Sequence, residues 1–337
     1  MSGLKVTEAG LATPHAGALL EVEDLFVDLP VEGQMRTVLR GVSLQIAAGE
    51  AVSLVGESGS GKSMTAKAVA CLLPRGAAVR GRIAYEGNEL GQIKGQQLRS
   101  FHNEVGMIFQ DPRAHINPVR TIGDFMTEAL VTNSRVPRRE ALSRAAAALG
   151  EVGIEDAKRR LGQYPHELSG GLLQRVMIAS TLLTGPKLLL ADEPTTALDV
   201  TTQSEVVAIM DELRRERGLA LLFITHDLDL ADAVCDRTCV MYAGQIVETR
   251  SVADQSHGAL HPYTRALSAA RPELEGPVIR PKAIRGRPVS AYEAPPGCAF
   301  APRCEFAEAV CSEQEPAPQS FEGDIVRCLR AGEFYGA

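Results

Sequence analysis

Short, continuous apolar runs alternate with stretches whose apolar residues recur at helical spacing, and this alternation organises the chain from Leu19 to about Val252. Ala51 to Val55 reads as a short apolar strand entering a glycine turn, and Ser63 to Leu73 as a helix stopped by Pro74. Leu188 to Ala191 and Leu221 to Thr225 are uninterrupted apolar strands, the pattern of parallel sheet buried on both faces. Roughly residues 112–183 are mostly helical. There Leu142, Ala145, Ala146, Leu149 and Val152 repeat at helical spacing, which predicts an inserted helical layer. The whole is an α/β layout.

After Pro262 the texture changes. Pro272, Pro277, Pro281, Pro288, Pro295, Pro296, Pro302, Pro316 and Pro318 leave little room for long helices. The segment from 263 to 337 is therefore expected to be a small tail with little core of its own, in need of a staple. Residues 1–18 are expected to be a flexible lead-in, and residues 19–262 the α/β domain. No apolar run approaches the roughly 18 to 20 residues that span a bilayer, and no early apolar core has signal-peptide length. The chain is thus expected to stay in the cytosol, where thiols are kept reduced.

Composition narrows the function classes. The 35 basic and 42 acidic residues give a net charge of -7, aromatics are 4% and there is no Trp, which argues against a nucleic-acid partner. Four of the seven cysteines, Cys298, Cys304, Cys311 and Cys328, fall within the tail.

The chemistry begins at Gly56-Glu57-Ser58-Gly59-Ser60-Gly61-Lys62-Ser63, a string that follows a strand and opens a helix. Glycines let successive backbone N–H groups curl around phosphate oxygens, and the helix N-terminus adds its positive dipole end. Lys62 is expected to reach the β- and γ-phosphates and the Ser63 hydroxyl to ligate Mg²⁺. The strand Leu188 to Ala191 delivers Asp192 and Glu193 at its carboxyl end, where open α/β sheets bind ligands. Asp192 would hold Mg²⁺ and Glu193 would polarise the attacking water; helix capping ahead of Pro194 and Thr195 is the alternative reading. His226 ends another buried strand and is expected to sense the γ-phosphate, a structural histidine being the alternative.

With these residues in view, the sequence resembles the ATP-binding subunits of ABC transporters. Leu168-Ser169-Gly170-Gly171, with Gln174 and Arg175 just after, is similar to the family's signature motif, Gln110 to its Q-loop, Ala197-Leu198-Asp199 to its D-loop and His226 to its switch histidine. The resemblance implies an ABC ATPase domain with a mixed sheet core and a helical subdomain. It also implies ATP and Mg²⁺, with Ser63, Gln110 and Asp192 at the metal and Gln110, Glu193 and His226 in catalysis. Ser169 and its glycines precede a helix, so they form a second anion-binding terminus. In the family that terminus covers the ATP held by another subunit, so a second ATPase chain, expected to be a different one, is implied, with two transmembrane subunits and, indirectly, an external binding protein. The location implied is peripheral, on the cytoplasmic face of the membrane.

Further strings resemble the ATPases of peptide and nickel importers: Phe109-Gln110-Asp111-Pro112 with Asn117-Pro118, Tyr164-Pro165-His166-Glu167, and His261-Pro262-Tyr263-Thr264. Gly297-Cys298, Pro302-Arg303-Cys304, Cys311 and Cys328 look like the C-terminal extension of oligopeptide and dipeptide importers, so peptide import is the expected function. Another cargo such as nickel, export, or a non-transport ABC ATPase are the alternatives. Spacing alone names no metal for the four cysteines. Some members of the resembled family hold a [4Fe–4S] cluster there, which is the expectation carried forward; zinc, free thiols or a disulfide are the alternatives.

Two positions depart from the family pattern. Leu29 stands where an aromatic residue usually stacks on adenine, which predicts modest nucleotide affinity and weak base discrimination. Leu173 stands where a basic or polar residue is usual and is expected to tune helix packing.

Overall fold

The structure, a computed structural model, describes residues 7–8, 17–196, 198–253, 258–270 and 283–335. Most of the lead-in at 1–18, together with Pro272, Pro277, Pro281 and Ala197, lies outside the described residues. The chain divides into two compact units.

The first unit comprises Met1–Ala47, Ala51–Gly91 and Thr225–Ala337. Two long strands, Ala18–Val31 and Gln34–Ala47, form an antiparallel hairpin, and Ala78–Tyr85 pairs antiparallel on the other side of the first. Ala51–Val55 is buried at all five positions and pairs parallel with Arg237–Tyr242, so neither face of this strand meets water. Gln245–Ser251 continues antiparallel from there. The helix that follows the phosphate loop runs Lys62–Val69, shorter than the apolar pattern predicts. It stops early because Cys71 turns into left-handed backbone at φ 57°.

The tail joins this sheet. Its hairpin, Gln319–Phe321 and Asp324–Val326, adds antiparallel to Gln245–Ser251, pairing Glu248 with Val326. Phe300 packs against both Tyr242 and Tyr263, with ring centroids 5.3 and 5.2 Å away, and Tyr242 and Tyr263 themselves lie 4.7 Å apart. Each such pair contributes about 0.5–1.5 kcal/mol beyond its buried area. A second cluster gathers Leu260, Phe321, Val326, Cys328, Ala331 and Phe334. The buried Glu248 carboxylate accepts hydrogen bonds from the amides of Leu260 at 2.7 Å and His261 at 3.1 Å, which fixes where the chain turns into the tail. The tail thus packs part of its apolar surface onto the sheet it extends, Ala299 and Phe300 joining Val240, Tyr242 and Val247 in one cluster.

The second unit comprises Ala48–Glu50 and Gln92–Ile224. Val105–Ile108, Leu188–Asp192 and Ala220–Thr225 run parallel, the middle one buried throughout. The helices Ile122–Thr132, Arg138–Glu151 and Gly170–Leu182 pack together as the helical layer. Ala141, Ala145, Ala148 and Leu149 form the buried face of the middle helix. Leu173 is fully buried, so an apolar residue at that position belongs to the core of this layer.

Candidate functional site

In the first unit the phosphate loop leaves the strand Ala51–Val55 and enters the helix at Gly61, whose φ of 110° is a left-handed cap that side-chain-bearing residues rarely adopt. A Cβ on Gly56 would lie 2.2 Å from the Met241 carbonyl oxygen, so the close approach to that strand requires glycine. Glu57 and Ser63 are half-buried, Ser58 and Gly59 exposed, and a Cβ on Gly59 would meet nothing within 4 Å, so the mouth of the loop is open. Lys62 is only 4% exposed, and its Nζ donates to the carbonyls of Gly56 at 2.8 Å and Glu57 at 3.1 Å. The buried Ser60 hydroxyl has no hydrogen-bond partner. A buried ammonium that donates to two loop carbonyls, beside a buried hydroxyl without a hydrogen-bond partner, makes a loop chemically suited to an anion of high charge.

Leu29 is half-buried and pairs across the hairpin with Arg36. Phe26 does not substitute for an aromatic there: it lies beneath the Arg80 guanidinium, 4.7 Å from the ring centroid. His226 is exposed, at the end of its strand; Asp227 after it caps the helix Leu228–Val234 through the amides of Asp229 and Leu230.

The second unit brings the remaining predicted residues into two groups. In the first, Gln110 Nε2 and Thr196 Oγ1 each donate to Glu193 Oε2 at 2.9 Å, and the Glu193 amide bonds the Ile224 carbonyl at 3.0 Å. Glu193 is held at φ 45°, a conformation that costs energy in a non-glycine residue and persists where surrounding bonds over-determine it. Asp192 is buried at the strand end beside it. The side-chain oxygens of Asp192 and Gln110 in this unit, and that of Ser63 in the first, are each hard donors of the kind that Mg²⁺ takes.

In the second group, Ser169 caps the helix Gly170–Leu182 by accepting from the Leu172 amide at 3.3 Å, and Asp199 caps Val200–Arg217 by accepting from the Thr202 amide at 3.0 Å and hydroxyl at 2.8 Å. Those two donors hold the Asp199 carboxyl below its usual range. Ser169, Gly170, Gly171, Asp199 and Thr202 line an open recess of about 450 Å³. Leu168 and Gln174 are buried and do not line it. A Cβ on Gly171 would come within 2.6 Å of Thr202 Cγ2. Gly171→Ala therefore lowers the unfolding free energy by about 1–3 kcal/mol. Adding Thr202→Ser, which deletes that methyl group and keeps the hydroxyl on Asp199, restores the melting temperature; a double variant no more stable than Gly171→Ala refutes this contact.

The sequence reading missed what holds the phosphate loop from outside. Arg303 donates from both terminal nitrogens to the Glu57 carboxylate, at 2.6 and 3.0 Å, and from Nε to the Arg285 carbonyl at 2.8 Å. Tyr263 Oη accepts from the Glu57 amide at 2.9 Å. Burial, with the Glu57 carboxylate nearby, pushes the Tyr263 phenol well above its ordinary range, so it stays neutral. Pro302-Arg303-Cys304 and His261-Pro262-Tyr263-Thr264 stand out in the sequence as strings, but nothing in them announces a partner 246 residues away.

The cysteine expectation is overturned. Cys298, Cys304, Cys311 and Cys328 line one small recess with His261. Among the described residues, however, no three His, Cys, Asp or Glu side chains are placed to hold a metal ion. The metal-binding, [4Fe–4S] and zinc expectations are therefore corrected: all four are free thiols. Burial pushes the Cys298 and Cys304 thiols up and that of Cys328 up to about 12, which keeps them protonated, whereas metal ligands are thiolates.

A phosphate loop on one unit, with a carboxylate pair and a capped glycine terminus on the other, defines an ATP-binding cassette. The fold agrees with that of solved cassettes: the dimeric MJ0796 cassette in a post-hydrolysis state bound to ADP and Pi matches with a TM-score of 0.62 and 26% identity, over 69% of this chain and 98% of that one. Residues 39–196 match the family model "ABC transporter", and residues 247–311 match "Oligopeptide/dipeptide transporter, C-terminal region". The chain is 43% identical to the probable peptide ABC transporter ATP-binding protein y4tR of Sinorhizobium fredii, over 96% of this chain and 98% of that protein. It is 38% identical to the oligopeptide transport ATP-binding protein OppD of Escherichia coli, over 99% of both. The chain belongs to the ATP-binding subunits of ABC transporters, in the oligopeptide/dipeptide branch. Among the described residues no helix is long and apolar enough to cross a membrane.

Proposed function

We propose that this protein binds and hydrolyses ATP to energise the import of di- or oligopeptides through an ABC transporter. One observation carries the reading: a single chain holds one phosphate loop and one capped signature terminus, along with the C-terminal region matched in peptide transporters. Lys62 binds the β- and γ-phosphates while the loop amides orient them. Glu193, kept in place by Gln110 and Thr196, accepts a proton from the attacking water. His226 donates to the γ-phosphate. Mg²⁺, when bound by Ser63, Asp192 and Gln110, neutralises phosphate charge. The recess at Ser169 to Gly171 covers the ATP of a second ATPase subunit, a different chain, and the pair works against two transmembrane subunits at the cytoplasmic face. An external binding protein selects the cargo.

Reconstitution in proteoliposomes with the membrane subunits tests this. ATP turnover is expected to rise several-fold when peptide-loaded binding protein is supplied on the opposite side. Stimulation by nickel-loaded binding protein instead moves the reading to metal import, and turnover with no membrane partner required supports a non-transport ATPase.

A further inference from the structure

The tail places an aromatic ring beside the phosphate loop. Tyr292 lies in the short turn Ala291–Glu293, and it is 48% exposed, unusual for an aromatic residue held this firmly. Its turn is closed by a capping box between Ser290 and Glu293, and Arg287 grips the Glu293 carboxylate from both terminal nitrogens at 3.2 and 3.1 Å. Ala291, the residue before it, is buried against the hairpin at Gly244: a Cβ on Gly244 would come within 2.8 Å of Ala291 Cβ and of the Val38 carbonyl. Gly244 in turn donates its amide to the Ser60 carbonyl of the phosphate loop at 2.8 Å. The turn that carries Tyr292 is therefore tied to the phosphate loop through one residue.

One face of the ring is taken by Arg36, whose guanidinium carbon lies 4.8 Å from the ring centroid. Arg36 pairs across the hairpin with Leu29, and its neighbour Met35 is 54% exposed. Leu29, Arg36 and Tyr292 thus share one face, an aliphatic and an aromatic side chain flanking a cation, with Tyr292 tied to the phosphate loop through Gly244. A nucleotide anchored there by its phosphates must lay its base on nearby surface. A purine face is attracted both to a tyrosine ring and to a guanidinium plane.

We propose that Tyr292, supplied by the C-terminal tail, is the base-binding residue of the nucleotide site and stacks on the purine of bound ATP. It provides the aromatic surface that Leu29 lacks. This deepens the ATPase reading and rests on it.

The chain has no Trp, so Tyr292→Trp creates a single fluorescent reporter. In the full-length protein, MgATP is expected to quench its emission, while inorganic tripolyphosphate, which has no base, binds without quenching. Tyr292→Ala is expected to weaken ATP binding roughly 5- to 100-fold and to leave tripolyphosphate affinity at the wild-type value. Adding Leu29→Tyr to Tyr292→Ala restores ATP affinity by placing a ring on the other side of Arg36. Unchanged ATP affinity in Tyr292→Ala overturns the proposal, as does equal weakening of ATP and tripolyphosphate, which marks a structural role only. Wild-type protein that binds neither ligand overturns the nucleotide-site reading itself, a result distinguishable from both.

Discussion

Glu193→Gln stops ATP turnover and leaves ATP bound between closed subunits. The substitution keeps the shape of the side chain and one carbonyl-type oxygen, so it can still accept from Gln110 or Thr196, which lie 2.9 Å from the native carboxylate. Backbone strain at φ 45° is unaffected. On the proposed mechanism, what is lost is the negative charge that takes the proton from water, a contribution of roughly 10²–10⁴ in rate. ATP affinity is expected to be unchanged, because the proposed mechanism assigns the phosphates to Lys62 and the loop amides and not to Glu193. Hydrolysis rates and retention of labelled ATP after gel filtration, measured in the assembled transporter, check this together. Turnover within a few-fold of wild type refutes the role assigned to Glu193.

The elements around that residue were legible because their signals are local. A buried strand of five residues, a glycine turn and a helix start appear in one window, and so do Leu188 to Glu193. The signature terminus is likewise written in consecutive residues, Ser169 to Leu172. Gly171 shows the limit of such reading: its need for a bare Cα comes from Thr202, on the next long helix. Proline frequency argues against long helices in the tail, but it says nothing about strands that pair with a neighbour, and Asp324–Val326 pairs antiparallel with Gln245–Ser251. Clustered cysteines suggest a ligand set, whereas Cys328 belongs to the apolar cluster of Phe321 and Phe334, and Cys298 and Cys304 pack against the cluster of Tyr242 and Phe300. Cysteine as a small apolar residue leaves no signal that separates it from cysteine as a ligand.

Arg303→Ala weakens ATP binding about tenfold without touching a phosphate. The native guanidinium meets Glu57 with both terminal nitrogens, its side chain only 4% exposed against 22% for the glutamate. Glu57 is the second residue of the phosphate loop, so without Arg303 its carboxylate would add an uncompensated negative charge to the loop. Arg303 neutralises it and, through the Arg285 carbonyl, fixes its position. Removing one partner of a fully buried pair costs ~3–5 kcal/mol; the partial exposure of Glu57 reduces this to about 2 kcal/mol, because water screens the charge left behind. The melting temperature therefore falls by a few degrees, and the unpaired carboxylate repels the incoming triphosphate. Arg303→Lys recovers only part of the loss, since an ammonium cannot grip both carboxylate oxygens in the plane of the native pair. The decisive measurement is the double-mutant cycle with Glu57→Gln. If charge repulsion is the cause, Glu57→Gln in the Arg303→Ala background returns ATP affinity close to wild type, and the two substitutions are far from additive. Additive losses would show that Arg303 and Glu57 serve the fold independently and that the tail does not set the charge of the phosphate loop.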